Sequence, residues 1–281
     1  MREYNKLTDE QKIQAVKLYN SNKSYKYIGD LFGVTGESIS RLLKKRGVKS
    51  RGNKKYVINE SFFEEIDTSD KAYFLGFLYA DGYIDEKRGQ VELTLQSKDK
   101  EILEKLSKAI SSDKPLTYKK AKKHWKTGNM ESDSYRLYIK NRKMSQDLIK
   151  LGMRQNKSFT LEWPNCVPDN LIWHFIRGYF DGDGCIYYKT EKGNGTAVSS
   201  NIISSPSFIS ELSKFLIKEG FSLGRHLHKA SKPMETLYIN GGIQGIFNFY
   251  KKIYENTTLY MERKYNTFLE CFRLRKFKYE N

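Results

Sequence analysis

From about residue 66 onward the chain repeats itself. Residues 73–84 read YFLGFLYADGYI and residues 175–186 read FIRGYFDGDGCI. Aligned without gaps, Gly76 falls on Gly178, Ala80 on Gly182, Asp81 on Asp183 and Gly82 on Gly184, an offset of 102 residues throughout. A duplication of that length predicts two supersecondary units related by a pseudo-twofold axis.

The residues after each copy agree as well. The first copy is followed by predicted strands at 82–85 and 90–96, a helix at 99–110, strands at 116–120 and 135–140, and a helix at 144–151. The second is followed by strands at 185–189 and 197–203 about a Gly193-Asn194-Gly195 turn, then a helix at 206–219. Strands at 223–229 and 236–240 and helices at 243–254 and 261–272 complete it. Each half is therefore predicted as α-β-β-α-β-β-α, an α+β chain with antiparallel sheets. The expected domains are residues 1–48, a linker at 49–58, and halves at 59–165 and 166–281.

Period-two alternation carries the strand assignment. Gln90, Glu92, Thr94 and Gln96 alternate with Val91, Leu93 and Leu95, and Arg136, Tyr138 and Lys140 alternate with Leu137 and Ile139. An ordinary solvated sheet has this pattern. So does a sheet whose polar face lies in a major groove and reads base edges. Charge favours the second reading: 50 Lys and Arg oppose 33 Asp and Glu, a formal net charge of +17 in 281 residues. Such an excess fits a polyanionic partner. Lys87, Arg88, Lys189 and Asn201 are assigned to the same surface.

Gly76 and Ala80 are four apart on one predicted helix, as are Gly178 and Gly182 on the other. Small residues at that spacing let two helix backbones approach closely. Asp81 and Asp183 then end their helices side by side, where the helix dipole and mutual repulsion both disfavour a carboxylate. A divalent cation removes that conflict, because Mg²⁺ takes carboxylate and backbone carbonyl oxygens together. The alternative is a plain helix stop followed by a turn. Gly82 and Gly184 are expected to leave the helices with positive φ.

The first fifty residues predict three short helices. Thr8 to Gln11 is a capping-box pattern, Ser24 and Thr35 are candidate caps, and Gly33 suits a tight turn. Ile28, Leu31, Val34, Ile39, Leu42 and Leu43 are expected inside. Ser38, Arg41, Lys44 and Lys45 are expected on the outer face of the third helix, where they could contact DNA. SYKYIGDLFGVTGESISRLLKKRGV resembles the helix-turn-helix of many phage and transposon proteins; any small three-helix module with a basic face would look similar. The linker segment KSRGNKK contains Arg51, a candidate for the phosphate backbone.

Residues 74–82 and 176–184 resemble the two motifs of the LAGLIDADG homing endonucleases, and the resemblance runs from about 60 to 275. It implies the duplicated αββαββα fold and metal-dependent cleavage of double-stranded DNA by a monomer, with no small-molecule substrate. It also implies Mg²⁺, with Mn²⁺ able to substitute, at Asp81, Asp183 and the Ala80 and Gly182 carbonyls. Lys157, Lys264 and Gln96 would complete the catalytic set. Tyr79 departs from the motif where Asp181 keeps it. Asp181 is expected to be an exposed helical carboxylate, and Arg177 to point away from the helix interface. A non-cleaving transcription regulator or an intron RNA maturase of the same fold are the alternatives.

Cys166, Cys185 and Cys271 are odd in number and scattered, which argues against a disulfide framework or a zinc knuckle. The sequence contains neither a long apolar run nor an apolar signal core at its start, so the expectation is a cytoplasmic protein that does not engage membranes.

Overall fold

The computed structural model describes residues 7–21, 23–48, 56–123, 128–191, 195–228 and 233–277. Arg51, the rest of 49–55, and Gly193 and Asn194 of the expected turn lie outside the described residues. The chain divides into two compact units, Met1–Lys55 and Tyr56–Asn281.

The first unit holds α1 (Asp9–Asn20), α2 (Tyr25–Phe32) and α3 (Gly36–Lys45). Its starts follow the expected capping chemistry. Thr8 and Gln11 form the reciprocal box, Ser24 accepts from the Tyr27 N–H, and Thr35 from the Ser38 N–H. Gly33 closes α2 with φ 67°. Ala15, Tyr19, Ile28, Ile39, Leu42 and Leu43 form the core. Two assignments change. Leu31 is 53% exposed, and Phe32, one full turn after Ile28, packs inward instead. Ser38 is buried: at the third position of α3 its side chain turns back to the Thr35 hydroxyl, 2.9 Å away, rather than outward to a ligand.

The second unit contains α4 (Ser69–Asp81), β1 (Gly82–Asp85), β2 (Gln90–Gln96), α5 (Lys100–Ala109), β3 (Thr117–Lys119), β4 (Ser134–Lys140) and α6 (Arg142–Lys150). The sequence then repeats with α7 (Ile172–Asp183), β5 (Gly184–Glu191), β6 (Gly195–Ser204), α8 (Pro206–Lys218), β7 (Leu223–His228), β8 (Met234–Ile239), α9 (Gly242–Tyr254) and a further helix, α10 (Glu262–Leu274). The sheets have matching orders, β1-β2-β4-β3 and β5-β6-β8-β7. Their registers match residue for residue. Gly82 opposes Leu93, which opposes Leu137; Gly184 opposes Ile202, which opposes Leu237.

Ile84, Val91, Leu93, Leu137 and Ile139 point into the core, as do Ile202, Leu237 and Ile239, in a single apolar cluster that spans both halves. The alternate residues of β1, β2 and β4 form an open polar face. No described helix is long and apolar enough to cross a membrane.

Gly82 and Gly184 leave their helices in extended backbone, both with φ −71°, and not with the positive φ expected. They are glycines for lack of room: a Cβ at 82 would lie 2.9 Å from the Leu78 Cα, and one at 184 would enter the Phe180 ring.

Candidate active site

α4 and α7 pack with their backbones in contact. A Cβ on Gly76 would fall on the Phe175 carbonyl oxygen and 2.9 Å from the Tyr179 nitrogen. A Cβ on Gly178 would fall on the Tyr73 carbonyl oxygen and 2.9 Å from the Phe77 nitrogen. The two contacts are images of each other under the 102-residue offset, so the pseudo-twofold axis runs between these glycines. At the next turn one methyl fits where two would not: a Cβ on Gly182 would collide with that of Ala80.

Close packing brings the helix ends together. Asp81 and Asp183 line one groove with Lys157, Tyr179 and Ser204. Water reaches both side chains from one side while protein crowds them from the other. That partial desolvation, with Asp183 alongside, pushes the Asp81 carboxyl up to about 6, against the pull of Lys264 and Lys157. Asp183 is raised for the same leading reason, opposed by Lys157 and Lys264 and by the Tyr179 hydroxyl.

Two buried lysines complete the cluster. Lys157, in a short 3₁₀ turn after α6, donates to the Ala80 carbonyl at 3.0 Å and the Gly82 carbonyl at 2.6 Å. Lys264, in the first turn of α10, donates to the Phe180 carbonyl at 2.6 Å and the Gly182 carbonyl at 2.9 Å. Each ammonium thus satisfies orphan carbonyls at a helix C-terminus and offsets its negative pole. Burial pushes Lys264 down to about 8 and lowers Lys157 too. Asp183 and Asp81 both oppose that loss of charge on Lys157, and Asp181, followed by Asp81 and Asp183, opposes it on Lys264.

The donor set suits a hard cation. Two carboxylates repel each other in a groove, and the Ala80 and Gly182 carbonyls beside them each keep a second lone pair after accepting from lysine. Among the described residues no three His, Cys, Asp or Glu side chains cluster as ligands, so any such ion would rest on carboxylates, backbone oxygens and water.

Residues 68–147 match the model of the LAGLIDADG-like domain. Among solved structures, the homing endonuclease I-WcaI bound to its DNA recognition sequence aligns with 79% of this chain and 97% of its own, at 16% identity and a TM-score of 0.52. This chain has the LAGLIDADG fold. Weaker likenesses include the I-LtrWI LAGLIDADG homing endonuclease bound to target DNA (13% identity, 78% of this chain and 92% of that one, TM-score 0.49). Another is I-DmoI in complex with DNA and Ca (14% identity, 75% and 99%, TM-score 0.46). No curated protein matches the sequence.

The LAGLIDADG motif helices hold two residues whose role the sequence concealed. Asp181 was expected outside and is completely buried; it accepts from the Tyr73 hydroxyl at 2.9 Å, the Tyr254 hydroxyl at 2.5 Å and the Met261 N–H at 2.8 Å. Arg177 was expected to point away and is buried as well, with its guanidinium over the Tyr73 ring and donating to the Ile253 carbonyl at 3.2 Å. α9 and α10 cover the side of α7 that would otherwise be solvent-facing. The available signal was the pair itself: opposite charges four apart on a helix otherwise mostly apolar.

The remaining assigned residues divide. Gln90, Glu92, Thr94, Arg136 and Tyr138 share the open face of the first LAGLIDADG sheet, with Lys140 exposed at its edge. They are already linked: Arg136 meets Glu92 at 3.3 Å, Gln90 donates to the Tyr138 hydroxyl at 2.6 Å, and Thr94 to Glu92 at 3.1 Å. Lys87 and Arg88 lie in the exposed β1–β2 turn, and Lys189 is exposed on β5. Arg41, Lys44 and Lys45 are exposed on α3, with Arg41 paired to Glu37 at 2.5 Å. Asn201 falls on the open side of β6 by register but is only 8% exposed, which corrects its assignment as a contact residue. Gln96 is exposed at the end of β2 opposite Ser134. Its register counterpart is Ser205, whose buried hydroxyl caps α8 instead.

Proposed function

We propose that this chain is a site-specific double-strand DNA endonuclease that requires a divalent metal, Mg²⁺ or Mn²⁺. The carrying observation is the groove in which Asp81 and Asp183 converge between two buried lysines. β1 and β5 begin directly after the two aspartates, so the sheet faces lead away from the site on either side. I-WcaI, the structure with the same fold, is bound to its DNA recognition sequence, which supports duplex DNA as the ligand.

Asp81, Asp183 and the Ala80 and Gly182 carbonyls would hold the metal. Bound there, it supplies Lewis-acid charge at the scissile phosphates and gathers the reacting oxygens. The chain's own groups do the rest. The glycine contact fixes the spacing of the two aspartates. Lys157 and Lys264 present fixed positive charge toward the negative charge that develops on each phosphate. The open face built from Gln90, Glu92, Thr94, Arg136 and Tyr138 offers donors and acceptors to base edges. Lys87, Arg88, Lys140 and Lys189 meet the backbone, and Arg51 in the linker does the same.

Incubation with a random-sequence duplex library and Mg²⁺, followed by sequencing of the ends, tests this reading. Recurrent double-strand ends are expected. Specific binding with no ends would point to a regulator, and preferential binding of intron RNA to a maturase.

The first unit is assigned to DNA as a helix-turn-helix, through Arg41, Lys44 and Lys45. Replacing both Lys44 and Lys45 with alanine should weaken binding to all sequences alike. It should also shrink the slope of log affinity against log salt by roughly 2, at about 0.9 per phosphate contact. An unchanged slope would remove α3 from the interface.

The crowded carboxyls make a further expectation. Asp81 binds its proton more tightly folded than unfolded, so its contribution to stability is present at low pH and is lost as pH rises from about 4 to about 6. Without divalent metal, Asp81→Asn should therefore gain thermal stability relative to the parent as pH rises from 4 to 7. Millimolar Mg²⁺ should close that gap by stabilising the parent alone. A gap independent of pH would mean that neither burial nor Asp183 raises the Asp81 carboxyl.

A further inference from the structure

We infer that the residue two before each motif aspartate, Tyr79 in the first half and Asp181 in the second, is a positioning residue that tethers the chain segment carrying that half's lysine. This deepens the endonuclease reading and rests on it.

The two residues are 102 positions apart and both are buried. The Tyr79 hydroxyl donates to the Leu151 carbonyl at the end of α6, six residues before Lys157. Gly152 is the cradle: with φ 102°, its missing Cβ would fall on that hydroxyl. Asp181 works with the opposite polarity, accepting the N–H of Met261 at 2.8 Å. Met261 is the residue before α10 and has no side-chain cap of its own; Lys264 follows in the first turn. The Tyr73 and Tyr254 hydroxyls hold the carboxylate in place, and the Arg177 guanidinium packs over the Tyr73 ring. From the other side, Asp99 grips Arg263, next to Lys264, through two hydrogen bonds of 3.0 and 3.1 Å. The start of α10 is thus held by the motif helix and by the first half together.

A carbonyl and an amide are each matched to their tether: tyrosine donates where the segment offers an oxygen, and aspartate accepts where it offers an N–H. This explains why the motifs differ at this position without loss of the lysine geometry. The consequence is strand-selective. Lys157 hydrogen-bonds the motif helix end of the first half and Lys264 that of the second, so loosening one tether disturbs one unit of the pair. Misplacement by about 1 Å can cost on the order of 10²-fold in rate.

The test measures cutting of each strand separately on duplexes labelled at either end, with the full chain. Asp181→Ser should slow one strand by on the order of 10-fold or more relative to the other. Tyr79→Phe should bias cutting toward the opposite strand, and Asp181→Asn, which keeps an acceptor for Met261, should restore most of the balance. Equal slowing of both strands by both variants would overturn the inference. A second readout needs neither metal nor cutting: acylation of lysines by N-hydroxysuccinimidyl acetate, located by peptide mass spectrometry. Lys264 should become more reactive in Asp181→Ser with Lys157 still protected, and the reverse in Tyr79→Phe. If Asp181→Ser does not fold, the Tyr79→Phe arm decides alone, since phenylalanine removes only the hydroxyl; Lys157 remaining protected there would reject the tether. If the parent chain cuts no DNA, the endonuclease reading fails, yet the acylation pattern still decides the tethers.

Discussion

Asp81→Asn and Asp183→Asn should each abolish double-strand cutting while leaving folding and metal-free DNA binding in place. Asparagine keeps the shape of aspartate and removes its charge. On the proposed reading that charge would hold the cation, because among the described residues lining the groove Asp81 and Asp183 are the only carboxylates and the other candidate ligands are neutral carbonyls. A cation's stabilisation of phosphoryl charge is worth several kcal/mol. Its loss corresponds to a rate decrease on the order of 10³-fold at about 1.4 kcal/mol per tenfold. Binding should survive because, on the proposed reading, the DNA contacts come from other residues than 81 and 183. In metal-free buffer the variants should even fold slightly better near neutral pH, as the repulsion between the carboxyls is gone. Cleavage within about tenfold of the parent in either variant would remove that aspartate from the catalytic centre.

The second large effect concerns the helix contact. Gly178→Val sets a branched side chain on the Tyr73 carbonyl oxygen and close to the Phe77 nitrogen. Both obstacles are backbone, so no rotamer change relieves them. Overpacking of this kind costs about 1–3 kcal/mol and occasionally more; rigid neighbours place this case at the upper end. For a domain of this size about 3 kcal/mol corresponds to a fall in Tm of roughly 6–12 °C. Cutting should fall further than stability does, because separated helices also separate Asp81 from Asp183. A milder exchange isolates the packing. Gly182→Ala alone collides with the Ala80 methyl, but combined with Ala80→Gly its nearest remaining neighbours lie at 3.5 and 3.6 Å, ordinary contact distances. The double exchange should recover most of what the single one loses. Simple additivity in thermal unfolding would show that the two positions do not touch.

Much of the molecule was legible in the chain before any coordinates. The 102-residue offset announced two equivalent halves, and period-two alternation located β2 and β4 to within a residue. Small residues four apart foretold a helix contact closer than side chains allow. Lys157 and Lys264 were chosen by resemblance, and the fold buries both against the motif helices. These features share a physical basis: they are local spacings, and a repeated spacing records itself twice.

Tertiary structure alone decided the rest. Whether Asp181 and Arg177 face water depends on α9 and α10, which arrive some 80 residues later in the chain to cover α7. Hydrophobic periodicity does not report on a helix enclosed from every side, so a polar residue there looks like a surface one. Glycine at 82 and 184 was required by neighbouring atoms rather than by its own φ. The hold of Lys157 on the Ala80 and Gly82 carbonyls, and of Lys264 on those of Phe180 and Gly182, joins residues far apart in the chain. Sequence determined the elements and their duplication because these depend on near neighbours; burial, charge pairing and the meeting of the aspartates depend on distant ones, and only folding brings those together.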